Sequence, residues 1–263
     1  MAHDMPGPCL VASNEKLFRK VVATIFAEGL LLNGSIVDCG AHRGGDSCYY
    51  ADLDPTRIVH AIEPMKKNMV HVVRYTERRN IVPLLGALGS LRRRIDSHFV
   101  NRTYSMLTGL HNAPTLDGST PSTWSPVDVY RLDDLFMNSW KSERFAFGHF
   151  DVEGSEEDLL RGASHIIQRD RPVFTVEVEA DKTVEAAALF QVFRAFDYRA
   201  LLVDEVAGSR PSVRNLICLP SERSHAKSLA ALAWPVKSSA ELSNLVRSGL
   251  ARPLTSKVTY TAA

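Results

Sequence analysis

Apolar residues first recur at helical spacing at Leu17, Val21, Val22, Ile25, Phe26 and Leu30. That period predicts a helix from a cap at Ser13 or Asn14 to about residue 32, where Asn33 and Gly34 stop it. The twelve residues before the cap read as a loose leader. The pattern then changes to short apolar runs closed by turn residues: Ser35–Cys39 ends in a glycine loop, 58–62 ends at Glu63-Pro64, and Ile81–Leu85 ends at Gly86. Runs of this kind are what strands buried on both faces of a parallel sheet require. Helix-length segments, 46–53 and 66–77, separate them, which is βαβ spacing with helices on both faces of one sheet.

The alternation breaks at 91–127, where Arg92-Arg93-Arg94 precedes a stretch rich in Thr, Ser, Pro and Gly. It reads as an irregular substrate-loop insertion, since a loop of this length is a lid, a binding loop or disordered. Alternation resumes with a strand at 145–151, a helix at 155–168, a strand at 173–178 and a helix at 184–196. Tyr198–Val203 and 216–219 follow, joined by a short polar connection that suits an antiparallel pair. About seven strands result, and the fold class is α/β: a mostly parallel sheet whose last strand is reversed. The last forty-odd residues suggest two short helices broken at Pro235. The division expected is a leader and helix over 1–34, a central unit over 35–220 and a helical extension over 221–263.

Composition narrows the functions. Thirty-one Lys and Arg against thirty Asp and Glu leave a net charge of +1, too little for a general nucleic-acid coat or a polybasic membrane anchor. With 45% hydrophobic and 23% charged residues the chain is an ordinary globular one. No stretch approaches the roughly 18 apolar residues of a membrane span, and no basic segment followed by an apolar one opens the chain. Cys9, Cys39, Cys48 and Cys218 are scattered and form no C-x-x-C pair, which points to free thiols rather than disulfides or a zinc cage. A soluble cytoplasmic protein is expected.

The chemistry concentrates at strand ends. Asp38-Cys39-Gly40-Ala41-His42-Arg43-Gly44-Gly45 joins the first strand to a helix. Glycines there let the backbone turn and approach a ligand, and the helix N-terminus presents free N–H groups to a nucleotide-type cofactor. A plain strand-to-helix turn has the same spacing, and D-x-G-x-x-x-G is not the G-x-G-x-x-G of dinucleotide enzymes. Glu63 stands 25 residues after Asp38, where an acidic residue accepts ribose hydroxyls, and the small Gly86-Ala87-Leu88 follows the third strand.

His149, Asp151 and Glu153 alternate, so they share a face if the strand persists that far, at the carboxyl end where α/β sheets bind ligands. They are the candidate catalytic set. The plainer alternative is a packed His149 with Glu153 or Ser155 capping the next helix. Glu177 and Glu179 end the neighbouring strand, so Asp151, Glu153 and Glu177 could ligate a hard divalent cation, or pair with arginine. The arginine run is either a solvated face or a clamp for an anionic substrate.

In order, the chain spells VDCGAHRGGDS, AIEPMKKN, LLGALGS, VYRLDDLF, HFDVEGSEEDLLRGA, RPVFTVEVE and RNLICLP. Over residues 36–220 this series resembles the FkbM family of S-adenosylmethionine-dependent methyltransferases. The resemblance implies a class I, Rossmann-like methyltransferase fold with a seven-stranded sheet and a reversed last strand. It places Asp38, Gly40, Ala41, His42 and Gly44 in the cofactor loop, Glu63 at the ribose, and Ala87 and Leu88 at the adenine. It further implies transfer of a methyl group to a hydroxyl oxygen of a small molecule or sugar; in-line displacement by a hydroxyl calls for a nearby base, for which His149 or Asp151 is the candidate, with Glu153 as orienter or metal ligand. One position departs from the family, which commonly carries Lys where this chain has His149; imidazole titrates near neutral pH and can serve as a base. Three other readings stand beside this one: an RNA 2′-O-methyltransferase, a cofactor-binding module without catalysis, and a nicotinamide-dependent oxidoreductase.

Overall fold

The computed structural model describes residues 15–76, 80–96, 101–103, 106–108, 110, 126–207, 210–223 and 227–248. Helix α1 (Lys16–Ala27) buries Phe18, Val21, Val22 and Ile25. It is shorter than its apolar period predicted because the chain turns left-handed at Gly29, with φ +65°. There follow β1 (Ser35–Cys39), α2 (Gly45–Leu53), β2 (Val59–Glu63), α3 (Lys66–Val73), β3 (Ile81–Leu85), β4 (Ala87–Leu88), β5 (Arg93–Asp96), β6 (Asn101–Thr103), β7 (Met106–Thr108) and β8 (Pro126–Tyr130). A short helix α4 (Leu132–Asp134) continues as a π turn to Ser139 and leads to β9 (Phe145–Phe150). The chain then forms α5 (Glu156–Gly162), α6 (Ser164–Asp170), β10 (Val173–Glu179), α7 (Thr183–Ala195), β11 (Tyr198–Val203) and β12 (Val213–Pro220). It closes with α8 (Lys227–Leu232), β13 (Trp234–Val236) and α9 (Ser239–Arg247).

The main sheet runs β13-β11-β12-β10-β9-β1-β2-β3. The five strands from β10 to β3 are parallel, and β12 lies antiparallel to both β10 and β11. This is the expected class I methyltransferase sheet with its reversed strand, enlarged by β13 at the edge. Every residue of β1 and β2 is buried, as strands covered on both faces must be. One face packs Phe136, Phe150, Phe174 and Phe193 under α4 to α7 and α9. The other packs Val22, Ile25, Tyr50, Val72 and Phe147 under α1, α2, α3 and α8.

Two expectations need correction and a third needs an addition. The insertion at 91–127 is not irregular throughout: β5, β8 and β4 form a second sheet around Ala87, Ile95, Leu110, Val127 and Val129. Residues 97–100, 104–105, 109 and 111–125 lie outside the described residues. The two short helices expected either side of Pro235 are α8 and α9, but Pro235 itself sits in β13 between them, opposite Leu201, where an edge strand tolerates the missing N–H. The helix expected over 155–168 is two, broken at Ala163.

Candidate active site

The loop after β1 is held by backbone before any side chain acts. The amides of Gly40 and Ala41 both donate to the Ile62 carbonyl, each at 3.0 Å, and the Asp151 amide donates to the Cys39 carbonyl at 3.0 Å. Gly40, at φ +91°, has no room for a side chain: a Cβ there would lie 1.7 Å from the Asp151 carbonyl oxygen. Gly44, at φ +83°, precedes the first turn of α2 and donates to Ala41 O at 2.7 Å. His42, exposed and also left-handed, donates its amide to Glu63 Oε2 at 2.9 Å.

Asp38 is fully buried at the end of β1, opposite Ala61 and His149. Its Oδ2 accepts from the Ser47 hydroxyl of α2, while Oδ1 has no protein partner. Burial, reinforced by Asp46 and Glu63, pushes its pKa up to about 8. Glu63 closes β2. Its Oε2 takes the His42 amide, and its Oε1 takes the Met65 amide at 2.8 Å and the Asn68 side chain at 3.2 Å. Burial raises it to about 7. A carboxylate offers about four lone-pair positions, so three protein donors leave one for a ligand hydroxyl. Ala87 and Leu88 are buried on β4 rather than on a loop, and the Gly86 amide beside them donates to Glu63 O at 3.1 Å.

The second group stands at the ends of β9 and β10. Because β9 stops at Phe150, His149, Asp151 and Glu153 do not share one strand face as expected. His149 stays within the sheet, 6% exposed, its Nδ1 hydrogen-bonded to Thr175 Oγ1 of β10 at 2.8 Å and its ring against Phe18 and Tyr50. Burial lowers its pKa, leaving the imidazole neutral at pH 7. Asp151 follows the strand, with Oδ1 buried and unpartnered. Burial, then Glu177, Glu153 and Glu156, holds its pKa well above the usual carboxylate range. Glu153 turns left-handed at φ +53°.

Carboxylate oxygens of Asp151, Glu153 and Glu177 lie within 4.8 Å of one another, so the cluster proposed as a cation site is spatially real. An arginine meets it. Arg210 Nη2 reaches Glu177 Oε1 at 2.9 Å and Glu153 Oε2 at 3.2 Å, and Nη1 reaches Glu179. Sequence reading missed Arg210 because it lies 57 residues from Glu153, in the connection before β12. It also missed Ser47, Asn68, Thr175 and Glu156, whose Oε1 accepts the Val152 and Gly154 amides at 3.2 Å each and so shapes the loop that carries Glu153.

Two buried carboxylate oxygens, on Asp38 and Asp151, thus lie without partners at the ends of adjacent strands whose loops touch through Gly40. Positive charge is what such a pair lacks, and a sulfonium compound with ribose hydroxyls fits these donors and acceptors. Beyond them a cleft of about 520 Å³ opens between α5 and α7.

The family model of the methyltransferase FkbM domain matches residues 38–200. Among solved structures, the methyltransferase FkbM from Methylobacillus flagellatus is 19% identical with a TM-score of 0.48, over 75% of this chain and 47% of that one. This chain therefore spans about half the length of that protein. An rRNA methylase from Streptococcus thermophilus is 13% identical with a TM-score of 0.45, covering 76% and 94%. Aeropyrum pernix fibrillarin in complex with natively bound S-adenosyl-L-methionine is 14% identical with a TM-score of 0.39, covering 76% and 74%. No curated protein matches the chain.

Proposed function

The chain belongs to the FkbM methyltransferase family, and from that premise we propose that it moves a methyl group from S-adenosylmethionine to a hydroxyl oxygen of a small molecule or sugar. The observation that carries this reading is the pair of buried, unpartnered carboxylate oxygens on Asp38 and Asp151, joined by the glycine loop. When bound, the cofactor supplies the methyl group and departs as a neutral thioether, keeping the electron pair of the broken C–S bond.

The chain's own residues align, exclude water and take a proton. Gly40, Ala41, His42 and Gly44 shape the cofactor loop, and Glu63 holds it while offering its remaining lone pair to a ribose hydroxyl. Ala87 and Leu88 give the adenine side small apolar surface. As the acceptor oxygen forms its bond to the methyl carbon, its proton passes to Asp151. In the free enzyme burial and neighbouring carboxylates raise the pKa of Asp151; positive charge arriving beside it acts in the opposite sense and favours the carboxylate that serves as base. Glu153, anchored by Arg210, orients the acceptor. His149 supports the floor from within the sheet rather than acting on the proton.

The reaction has no need of the divalent cation expected at Asp151, Glu153 and Glu177, since Arg210 already sets a cationic nitrogen against two of the three. An RNA acceptor is not favoured: Arg94 is paired with Asp128 at 2.7 Å and Arg93 reaches the Leu110 carbonyl at 3.3 Å. Residues 35–220 are the methyltransferase unit in this reading and 91–127 its insertion, while β13 and α9, from the segment after 220, complete its sheet and core. Among the described residues no helix is long and apolar enough to cross a membrane. The buried free thiols of Cys39, Cys48 and Cys218 support a reducing, cytoplasmic setting.

The test is methyl transfer to a panel of hydroxyl compounds by the wild type and Asp151→Asn. The variant is expected to lose about 10²- to 10⁴-fold in turnover while still binding the cofactor. Undiminished turnover would remove Asp151 as base, and cofactor binding with no transfer to any acceptor would favour a binding module.

A further inference from the structure

The cleft between α5 and α7 carries more negative charge than methyl transfer requires. Seven of the residues around it are carboxylates, and two, Arg161 and Lys182, are cations. Both cations are already paired, Arg161 with Glu157 at 2.7 Å and Lys182 with Glu179 at 3.1 Å. Asp151 Oδ1 is buried and unpartnered, and a carboxylate oxygen of Asp151 lies within 4.8 Å of those of Glu153 and Glu177, which line the inner end of the cleft. The cation that meets these inner groups is Arg210, and it comes from outside: its side chain is 44% exposed, those of Glu153 and Glu177 only 12%. One of its nitrogens is divided between Glu177 and Glu153, and the other goes to Glu179, so the guanidinium leaves Asp151 unmet.

We propose that this cleft selects a methyl acceptor bearing a positive charge, an amine beside the hydroxyl that is methylated, and that Arg210 holds that charge's place until the acceptor arrives. The inference rests on the methyltransferase reading and names the substrate class of the same site. An ammonium is compact and carries three donors, which match one oxygen each from Asp151, Glu153 and Glu177. Arg210 is a long, half-exposed side chain that returns to water when displaced, so the exchange swaps one cation for another and leaves no buried carboxylate bare. A neutral acceptor makes no such exchange and brings no charge of its own to the three carboxylates. Selection therefore comes from charge at the inner end of the cleft, while the outer carboxylates attract cations to its mouth.

The full chain, saturated with S-adenosylhomocysteine, is titrated calorimetrically with ethanolamine, glucosamine and spermidine, each beside its N-acetylated form, and separately with Mg²⁺. The expected result is about tenfold or greater preference for at least one amine over its acetylated partner, weakening as salt rises. Arg210→Ala, which removes the competing cation, is expected to tighten that amine by about tenfold, and Glu177→Gln to abolish the preference. No amine preference in the wild type, an Arg210→Ala variant with unchanged amine affinity, or Mg²⁺ binding that amines do not contest would each overturn the proposal. S-adenosylmethionine binding, followed in every variant, separates the two failures: if it persists while amines are ignored, only the acceptor class is wrong.

Discussion

At Gly40 the two halves of the site come within a carbonyl's width of each other. A methyl group there would meet the Asp151 carbonyl oxygen at 1.7 Å, in a backbone conformation that side chains avoid. Gly40→Ala should therefore destabilise the fold by about 3 kcal/mol, conformational strain and overpacking together, and weaken cofactor binding. Gly29 supplies the control, because at φ +65° it has nothing within 4 Å of an added Cβ. Its alanine variant should lose only about 1 kcal/mol, from backbone strain alone. Urea denaturation of the two variants checks the difference; equal losses would mean that the approach of Gly40 to Asp151 is not tight. Gly40 and Glu63 were legible in the sequence because each lies at a strand end with characteristic spacing. Arg210 and Asn68 were not: a guanidinium in a polar turn carries no local sign of which carboxylates it will meet.

Among the elements, β9 decides how the catalytic residues divide. The alternation His149, Asp151, Glu153 suggested one face, but the strand ends at Phe150, so His149 is locked between sheet and helices while Glu153 reaches the cleft and Asp151 lies next to it and Glu177. The first turn of α1 closes over this point, with the Phe18 amide on Glu205 at 2.8 Å and Arg19 on Asp46 at 2.8 Å. His149→Asn should thus lower stability by about 1–2 kcal/mol, through the weakened bond to Thr175 and lost ring contacts, and change turnover less than about tenfold. A loss of 10²-fold or more with the melting temperature intact would return His149 to the role of base. Seven strands were readable because their apolar runs stand alone in sequence. Short β4, β5 and β8 were not, since β5 pairs with a partner about thirty residues on and shows only one buried apolar side chain, Ile95. β13 was hidden by Pro235, which signals a break until its edge position is known.

Over the whole molecule, buried acids make stability depend on pH in an unusual sense. Asp38 and Glu63 have folded pKa values of about 8 and about 7, above their unfolded values. Each therefore contributes stability that is fully present below about pH 4 and is lost as pH rises through 7 to 8. Paired carboxylates such as Asp170, whose pKa is lowered despite burial by Arg169, the Phe145 amide and Arg144, act in the opposite sense at the acid end. The ligand-free protein should melt highest near pH 5 to 6 and lose several degrees by about pH 8.5, a fall that a bound sulfonium cation reduces. Thermal scans with and without S-adenosylmethionine check this; a melting temperature rising through that window would show that these acids are ionised in the free protein.

The most direct measurement is calorimetric titration of the wild type and Glu63→Ala with S-adenosylmethionine, with NADH as the control ligand. The account predicts saturable one-site binding to the wild type, at least about tenfold weaker binding to the variant, and none of NADH. Absence of binding to the wild type, or undiminished binding to Glu63→Ala, would contradict a cofactor site built on the β1 loop and the end of β2.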